Sequence, residues 1–303
     1  MTTSTRRLRG TAALLSAAAL ALTGCTTNTE GGGAPAEPSG TERVDVAKDE
    51  AVAAAVPQQY KDAGKLVVGT NPPYAPNEFK DPSGAIIGFD VDLLTATAKV
   101  MGLEAEFKES DFDKIIPSIQ GGTLDMGASS MTDNAEREKT VDFVTYFTAG
   151  IQWAAPAGKT VDPDNACGLK VAVQRTTVEE TDELPAKSKT CTDAGRPPIQ
   201  PIAFDDQDQV ATAVALGKAD AMSADSPITA YAVKQSEGKL VTVGPLAEAA
   251  PYGWPVKKGS PLAGVLKDAL AKLILTGDYA KIAKKWGVEQ GGIDAPKING
   301  AVS

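Results

Sequence analysis

Twice in this chain an apolar helical pattern stops at a glycine and, three residues on, reaches an aspartate that opens a strand pattern. In the first case Ile115, Ile116 and Ile119 precede Gly122, and Thr123-Leu124-Asp125-Met126 follows. In the second, Val210, Val214 and Leu216 precede Gly217, and Lys218-Ala219-Asp220-Ala221 follows. Five residues beyond each aspartate stand Ser130 and Asp225. Upstream, Leu66–Thr70 and Leu169–Val173 are matching apolar runs, each followed by a polar turn. Short apolar runs alternating with helical patterns read as βαβ units on a parallel sheet. The repeat therefore predicts two similar α/β lobes facing one another across a cleft. On this reading 65–149 and 254–303 form lobe 1 and 150–253 form lobe 2. The chain crosses at Ile151–Pro156 and returns at Tyr252-Gly253-Trp254-Pro255.

The chain ahead of the lobes has a different character. Arg6, Arg7 and Arg9 form a basic start, and Thr11 to Leu22 is an apolar run too short for a comfortable membrane span. Residues 1–24 therefore read as a signal peptide. It ends in Leu22-Thr23-Gly24-Cys25, which resembles a bacterial lipobox. That resemblance implies cleavage before Cys25 and a diacylglyceryl group on its sulfur, anchoring the protein to the outer face of the membrane. An ordinary signal peptide with an unrelated cysteine is the alternative. Residues 25–64 read as a Gly/Pro/Ser/Thr-rich tether followed by a short, loosely packed helix broken at Pro57. Of three cysteines, Cys167 and Cys191 remain. In an exported protein a disulfide between them is the default, with two buried thiols as the alternative.

Composition removes several function classes. The net charge is −9, and residues 1–24 hold three arginines and no acid, so the remainder carries −12. An acidic chain without a basic patch argues against nucleic acid as a partner. The chain has no histidine, which excludes a Ser-His-Asp triad, a Cys-His dyad and a His-ligated metal. Nothing calls for a cofactor.

One stretch carries candidate chemistry, Gly127 to Phe147. Ala128-Ser129-Ser130-Met131 suits a strand end, and Asp133-x-x-Glu136 has the spacing of a capping box, which predicts a helix with Arg137 near its first turn. Free N–H groups, the positive end of a helix dipole and a guanidinium would then converge, an arrangement suited to a carboxylate. The alternative is that Arg137 pairs with Glu136, Glu138 or Asp142 on a solvated helix. Thr177-x-x-Glu180 repeats the capping-box spacing after the second apolar run. Asn71 to Phe79 is a proline-stiffened loop following a strand, the place where open α/β sheets bind ligands. The apolar stripes after Pro261 and around Tyr279, Ile282 and Trp286 are core packing.

Gly88-Phe89-Asp90-Val91-Asp92-Leu93-Leu94 resembles the signature of family 3 solute-binding proteins of ABC-type importers. Ser130-Met131-Thr132 with Arg137 resembles that family's carboxylate clamp, and Asp142-Phe143 its continuation. Lys170 to Thr177, Leu216 to Asp225 and Asp278-Tyr279 to Gly287 also fit, so the resemblance runs from about Lys65 to Val288.

The resemblance implies a periplasmic-binding-protein type II fold, closing like a hinge on an amino acid. Arg137 would take the α-carboxylate, helped by Thr132 and, from the other lobe, Thr177. Asp225 and the Ser130 carbonyl would take the α-ammonium, and Tyr74 and Phe112 would sandwich the side chain. Asn71 falls where relatives selecting basic amino acids have an acid; its amide weakens the case for lysine or arginine and favours another polar amino acid, although Glu78 and Glu179 could supply the charge from elsewhere. Thr176 stands where a glycine is usual, and Arg175 is either a solvated surface residue or a selector for acidic side chains. The partners implied are a free amino acid and the permease of an ABC transporter, with the protein a monomer. Rival readings are a sensory binding module, or a dehydratase or lytic enzyme using a pocket carboxylate as acid.

Overall fold

The structure is a computed structural model, and it describes residues 43–302. The expected signal peptide, lipid-bearing Cys25 and tether, up to residue 42, lie outside the described residues. Among the described residues, no helix is long and apolar enough to cross a membrane.

Ten strands and nine α-helices are present among the described residues. The first part of the chain gives α1 (Glu50–Ala55), α2 (Gln58–Ala63), β1 (Lys65–Thr70), the hairpin β2 (Phe79–Lys80) and β3 (Ile86–Ile87), α3 (Phe89–Val100), β4 (Glu104–Glu109), α4 (Phe112–Gly121) and β5 (Met126–Gly127). The long β6 (Val141–Pro156) leads to β7 (Lys170–Gln174), α5 (Leu184–Asp193), β8 (Gln200–Phe204), α6 (Gln207–Ala215), β9 (Ala221–Asp225) and α7 (Ser226–Gln235). A second long strand, β10 (Leu240–Lys257), returns to α8 (Leu262–Thr276) and α9 (Asp278–Trp286). Eight strands form one sheet in the order β4-β1-β5-β10-β6-β9-β7-β8.

That order is nearly a palindrome in kind. β1 lies parallel between β4 and β5, and β7 lies parallel between β8 and β9. β6 and β10 run antiparallel between the two triplets, with register shifts between Val243 and Ala250 and again at Tyr252/Gly253. They are single long strands where the sequence suggests short crossings: β6 is buried along almost all its length, and β10 is largely exposed from Val241 to Ala249 and buried from Tyr252 to Val256. The repeat is real down to its hydrogen bonds. Gly122 and Gly217 both adopt left-handed φ, +76° and +71°, at the ends of α4 and α6. Asp125 Oδ2 accepts the Val67 N–H at 2.7 Å, and Asp220 Oδ2 accepts the Lys170 N–H at 2.8 Å. Each aspartate thus pins the start of its half's central strand.

Each half has its own core. Leu66, Val68, Leu94, Met126, Trp254 and Leu266 belong to the largest, under β1. Val171, Val173, Leu184 and Ile199 form one cluster beside β7, and Val210, Val214 and Met222 another. A disulfide joins Cys167 and Cys191, with Cα atoms 5.5 Å apart, tying the approach to β7 onto α5.

Four local expectations change. Asp133 and Glu136 start no helix: Arg137–Lys139 is a single 3-10 turn, and Asp133 spends its Oδ2 on the Gly300 N–H. After Thr177 the helix opens as a π turn, Glu179–Glu183, and Glu180 reaches back to the Thr176 N–H rather than to Thr177. The alanine-rich patch is two helices rather than one, and it is not loose, since Val56 and Tyr60 are buried in the main core. Leu216 is 67% exposed, because it follows the last turn of α6 and points past the core that Val210 and Val214 fill.

Candidate functional site

The carboxyl ends of β1, β4 and β5 meet those of β7, β8 and β9 along one line. From the first half come Asn71 and Tyr74 after β1, Phe112 opening α4, and Ser130, Thr132 and Arg137 after β5. From the second come Gln174, Thr177 and Glu179 after β7, and Asp225 closing β9. Among the described residues, three side-chain hydrogen bonds cross the cleft between the halves. Tyr74 donates its hydroxyl to Asp225 Oδ2 at 2.5 Å, Gln174 Nε2 donates to Asn71 Oδ1 at 2.7 Å, and Arg137 Nη2 donates to the Thr176 carbonyl at 2.9 Å. Phe79 and Tyr231 also touch across the divide, with ring centroids 6.2 Å apart.

Arg137 is held by a turn rather than a helix. Its own N–H donates to Asn134 Oδ1, Nη1 donates to the Thr132 carbonyl at 2.8 Å, and the guanidinium lies 5.6 Å from the Phe112 ring centroid. None of the acids that might have claimed it does so. Glu136 pairs with Lys139, Asp142 with Lys258, and Glu138 accepts the Ala301 N–H. Burial pulls the Arg137 pKa down, and the negative charges of Glu179 and Asp225 pull the other way. A guanidinium whose only close acceptors are two neutral carbonyls is short of negative charge in a buried place.

Asp225 is the complementary case. It is buried, and burial raises its pKa to about 6 against the lowering effect of the Tyr74 and Tyr252 hydroxyls and of Arg137. Neither Arg137 nor Asp225 forms an ion pair among the described residues. Two opposite charges therefore face one cleft from opposite sides, each without a counter-ion in contact.

Beneath Ser130 lies a scaffold that the sequence motifs hinted at without explaining. Ser130 adopts φ +48°, unfavourable for a residue with a Cβ, and its N–H is held by Asp90 Oδ2 at 2.7 Å. Its hydroxyl accepts from Asn77 Nδ2 and sits 3.3 Å from both Asp90 Oδ2 and Glu78 Oε2. Tyr146 donates to Asp90 and Ser129 to Glu78. The Ser130 hydroxyl has one proton and lies within reach of two buried carboxylates. Burial raises both pKa values, Asp90's to about 7. Gly88 is fixed by the same packing: its φ is +138°, and a Cβ there would lie 2.0 Å from the Asn77 carbonyl oxygen. Asp90 was findable as an acid in the first turn of a helix otherwise buried on all sides. Gln174 and Asn77 carried no such signal.

The remaining candidates separate cleanly. Glu78 is consumed by the Ser129–Ser130 scaffold. Glu179 is 2% exposed, its Oε1 has no hydrogen-bond partner, and burial followed by the charge of Asp225 pushes its pKa well up. Thr177 is buried, and its hydroxyl donates to the Gln174 carbonyl. Thr176 adopts φ +62°, which explains why a glycine suits that turn. Arg175 is half exposed and paired with Asp205 at 2.9 Å. A cavity of about 310 Å³ at the cleft mouth is lined by Asp111, Phe112, Asp113, Lys114, Arg175 and Asp205.

Comparison with known proteins identifies the family and the fold. The family model for bacterial extracellular solute-binding proteins, family 3, matches residues 66–289. The chain is 45% identical to the arginine-binding protein ArgT of Corynebacterium glutamicum, over 93% of this chain and 92% of that protein. It is 32% identical to the ABC transporter glutamine-binding protein GlnH of Bacillus subtilis, over 75% and 82% of the two. Among solved structures, an ancestral arginine-binding protein bound to arginine aligns at a TM-score of 0.68 and 35% identity, over 74% of this chain and 98% of that one. The ancestral amino acid-binding protein AncCDT-1, a precursor of cyclohexadienyl dehydratase, aligns at 0.66 and 33%, over 76% and 98%.

Proposed function

The chain belongs to the bacterial extracellular solute-binding proteins of family 3, and we propose that it is a receptor for a free basic amino acid, arginine foremost, which it delivers to an ABC-transporter permease. The observation that carries this reading is the pair of unmatched charges, half-buried Arg137 and buried Asp225, presented by opposite halves to one cleft. An α-amino acid brings a carboxylate and an ammonium that desolvate cheaply only if each meets its opposite. Arg137, with Thr132 and Thr177 beside it, takes the carboxylate. Asp225 and the Ser130 carbonyl take the ammonium, and Tyr74 and Phe112 flank the side chain, with Asn71 and Gln174 at its edge.

The charge count selects the class. Asp225 and Glu179 are two acids against one arginine in the cleft; burial pushes the Glu179 pKa well up, and a cationic ligand side chain beside it would draw that proton off, so a ligand with one net positive charge leaves nothing unmatched. Glu179, with a buried oxygen lacking a partner, supplies the acid that Asn71 does not. The named substrate of the Corynebacterium relative points the same way.

Splitting the grips between halves makes binding mechanical. Residues 65–149 with 254–303 form one lobe and 150–253 the other, and the closed arrangement is favoured by contacts that only it completes. The permease then reads loaded from empty by shape. Residues 1–24 are the signal peptide, Cys25 carries the lipid, and the receptor works as a monomer tethered to the outer face of the membrane.

We read the protein as a binder and not a catalyst, although the likeness to a dehydratase precursor gives Glu179 a second role to test, as a pocket acid. Thermal shift and calorimetry with arginine, lysine, histidine, glutamine and citrulline decide. Arginine should give the largest shift, and Glu179→Gln should lower its affinity roughly tenfold or more while sparing citrulline. If no amino acid raises the melting temperature, or if a ligand is turned over, this reading is wrong.

A further inference from the structure

The segment that follows the part of the chain matched by the family model does not trail off. Beyond residue 289, it runs back to the first half and lies against the start of β6. Ile298 bridges antiparallel to Val144, the Thr145 N–H donates to the Lys297 carbonyl at 2.9 Å, and the Lys297 N–H donates to Thr145 Oγ1 at 2.8 Å. Asn299 then grips twice more: its Oδ1 accepts the Phe143 N–H at 2.9 Å, and its Nδ2 donates to Asp142 Oδ1 at 2.9 Å. At Asn299 the backbone turns left-handed, with φ +54°. The next two N–H groups therefore leave the strand edge. Gly300 donates to Asp133 Oδ2 at 2.7 Å, and Ala301 donates to Glu138 Oε1 at 3.1 Å. Gly300 packs closely there, since a Cβ would lie 2.8 Å from Thr145 Cγ2.

Asp133 and Glu138 flank Arg137 in sequence, and the turn between them is only one 3-10 turn long. The turn's own backbone bonds, from the Glu138 N–H to the Asn134 carbonyl and from the Thr140 N–H to the Arg137 carbonyl, both at 3.0 Å, shape it locally but do not tie it to the rest of the half. The two N–H groups from the tail supply that tie, one at Glu138 inside the turn and one at Asp133, four residues ahead of Arg137. They also settle two acids beside the guanidinium: Asp133, whose pKa burial and the neighbouring Glu138 raise to about 7, and Glu138 itself. Without those donors, either acid is free to compete for Arg137.

We infer that residues Lys297–Ala301 form a strap whose task is to position Arg137, so that the tail of the chain, which touches no ligand, sets the strength of the carboxylate grip. Asn299 and Gly300 are the positioning residues. This rests on the ligand reading given above for Arg137, and the experiment separates the two.

Wild type, a variant lacking residues 299–303, and Asn299→Ala are each titrated with arginine, alone and combined with Arg137→Ala. Removing the strap should weaken arginine binding roughly tenfold, as remote changes in a coupled network do. In the Arg137→Ala background the same removal should change affinity by less than about twofold, because the two changes act through one group. An equal loss in both backgrounds would show a merely structural tail and overturn the proposal. So would unchanged binding in both strap variants. If the truncated chain does not fold, Asn299→Ala carries the test on the same criteria. Hydrogen exchange at the Arg137 N–H needs no ligand. It should quicken when the strap is cut, and an unchanged rate sinks the strap even if wild type binds arginine well. Faster exchange together with no amino acid bound by wild type would leave the strap standing and remove only the ligand reading.

Discussion

The two halves of the sheet follow one plan until five residues past Asp125 and Asp220, and there they part. In the first half that position is Ser130, neutral, ringed by Asn77, Glu78 and Asp90 from its own half. In the second it is Asp225, charged, whose close partner Tyr74 comes from across the cleft. One half thus presents a preorganised backbone turn, and the other presents a charge that is satisfied only when the halves meet. On the ligand reading proposed above, a repeated plan gives a site with two ends through the difference at one equivalent position and the presence of Arg137 on one side only. Preorganised dipoles on one face and an unmet charge on the other favour closure around a dipolar guest.

The largest expected effect breaks this asymmetry outright. Arg137→Ala or Asp225→Ala should each weaken amino-acid binding by about 3–5 kcal/mol, since each leaves a charge of the ligand buried and unpaired. Calorimetry on both variants decides, and near-normal affinity in either would mean that the two residues are not the ends of the site.

A second difference lies in how the halves are stabilised. The half containing β1 has one large core and a small second cluster around Ile115, Ile119 and Phe143, whereas the half containing β7 has two small clusters, no large one, and the Cys167–Cys191 bridge. Replacing both cysteines by alanine should lower stability by about 3 kcal/mol in the chain-entropy model, given the loop they close. Because the bridge lies away from the cleft, arginine affinity of the folded variant should stay within about twofold of wild type. A large affinity loss would mean that α5 and the turn carrying Thr177 move as one body with the bridge.

Acidity should separate stability from binding. Burial raises the pKa of Asp225 to about 6 and of Asp90 to about 7, and pushes Glu78 and Glu179 well up. Groups that hold protons more tightly folded than unfolded stabilise the fold as pH falls. From these acids, then, the unliganded protein gains stability between about pH 7 and pH 4, the interval separating folded from unfolded carboxyl pKa values. Ligand binding runs the other way, because the ammonium needs Asp225 ionised. Below about pH 6 arginine affinity should fall by up to tenfold per pH unit. Melting curves and titrations over the same pH series check both signs. Parallel trends would refute the idea that Asp225 faces the ligand while Asp90 supports Ser130.

Much of this was legible in the residues alone, for physical reasons that can be named. Strands β1 and β7, the glycine stops and the pinning aspartates were visible because each is a local rule, an apolar run or a left-handed cap, repeated at one spacing. Arg137 was found for a partly wrong reason: Asp133-x-x-Glu136 has capping-box spacing, yet Asp133 accepts from Gly300, some way along the chain. No local pattern encodes that bond. The scaffold around Ser130 was hidden for the same reason, since Glu78 and Asp90 matter through Ser130, far from both in sequence. Glu78 and Glu179 looked alike as free acids. Only packing shows that one is spent on serines and the other keeps a bare oxygen in the cleft.

The smallest expected effect tests whether the repeat is energetic as well as geometric. Asp125→Ala and Asp220→Ala each remove one carboxylate bond to a strand-opening N–H, at 2.7 and 2.8 Å. The net loss should be about 1 kcal/mol in either case. Asp220 also pairs with Lys159, but that lysine is substantially exposed, and such a pair adds little. The two variants should therefore agree within about 0.5 kcal/mol in denaturant unfolding, and the double variant should lose the sum, because the sites are far apart and share no partner. A marked excess for Asp125 would instead place part of its role in holding the turn that leads to Ser130. In that event arginine affinity should fall in Asp125→Ala and stay unchanged in Asp220→Ala, which would put the divergence between the halves five residues earlier than Ser130 and Asp225.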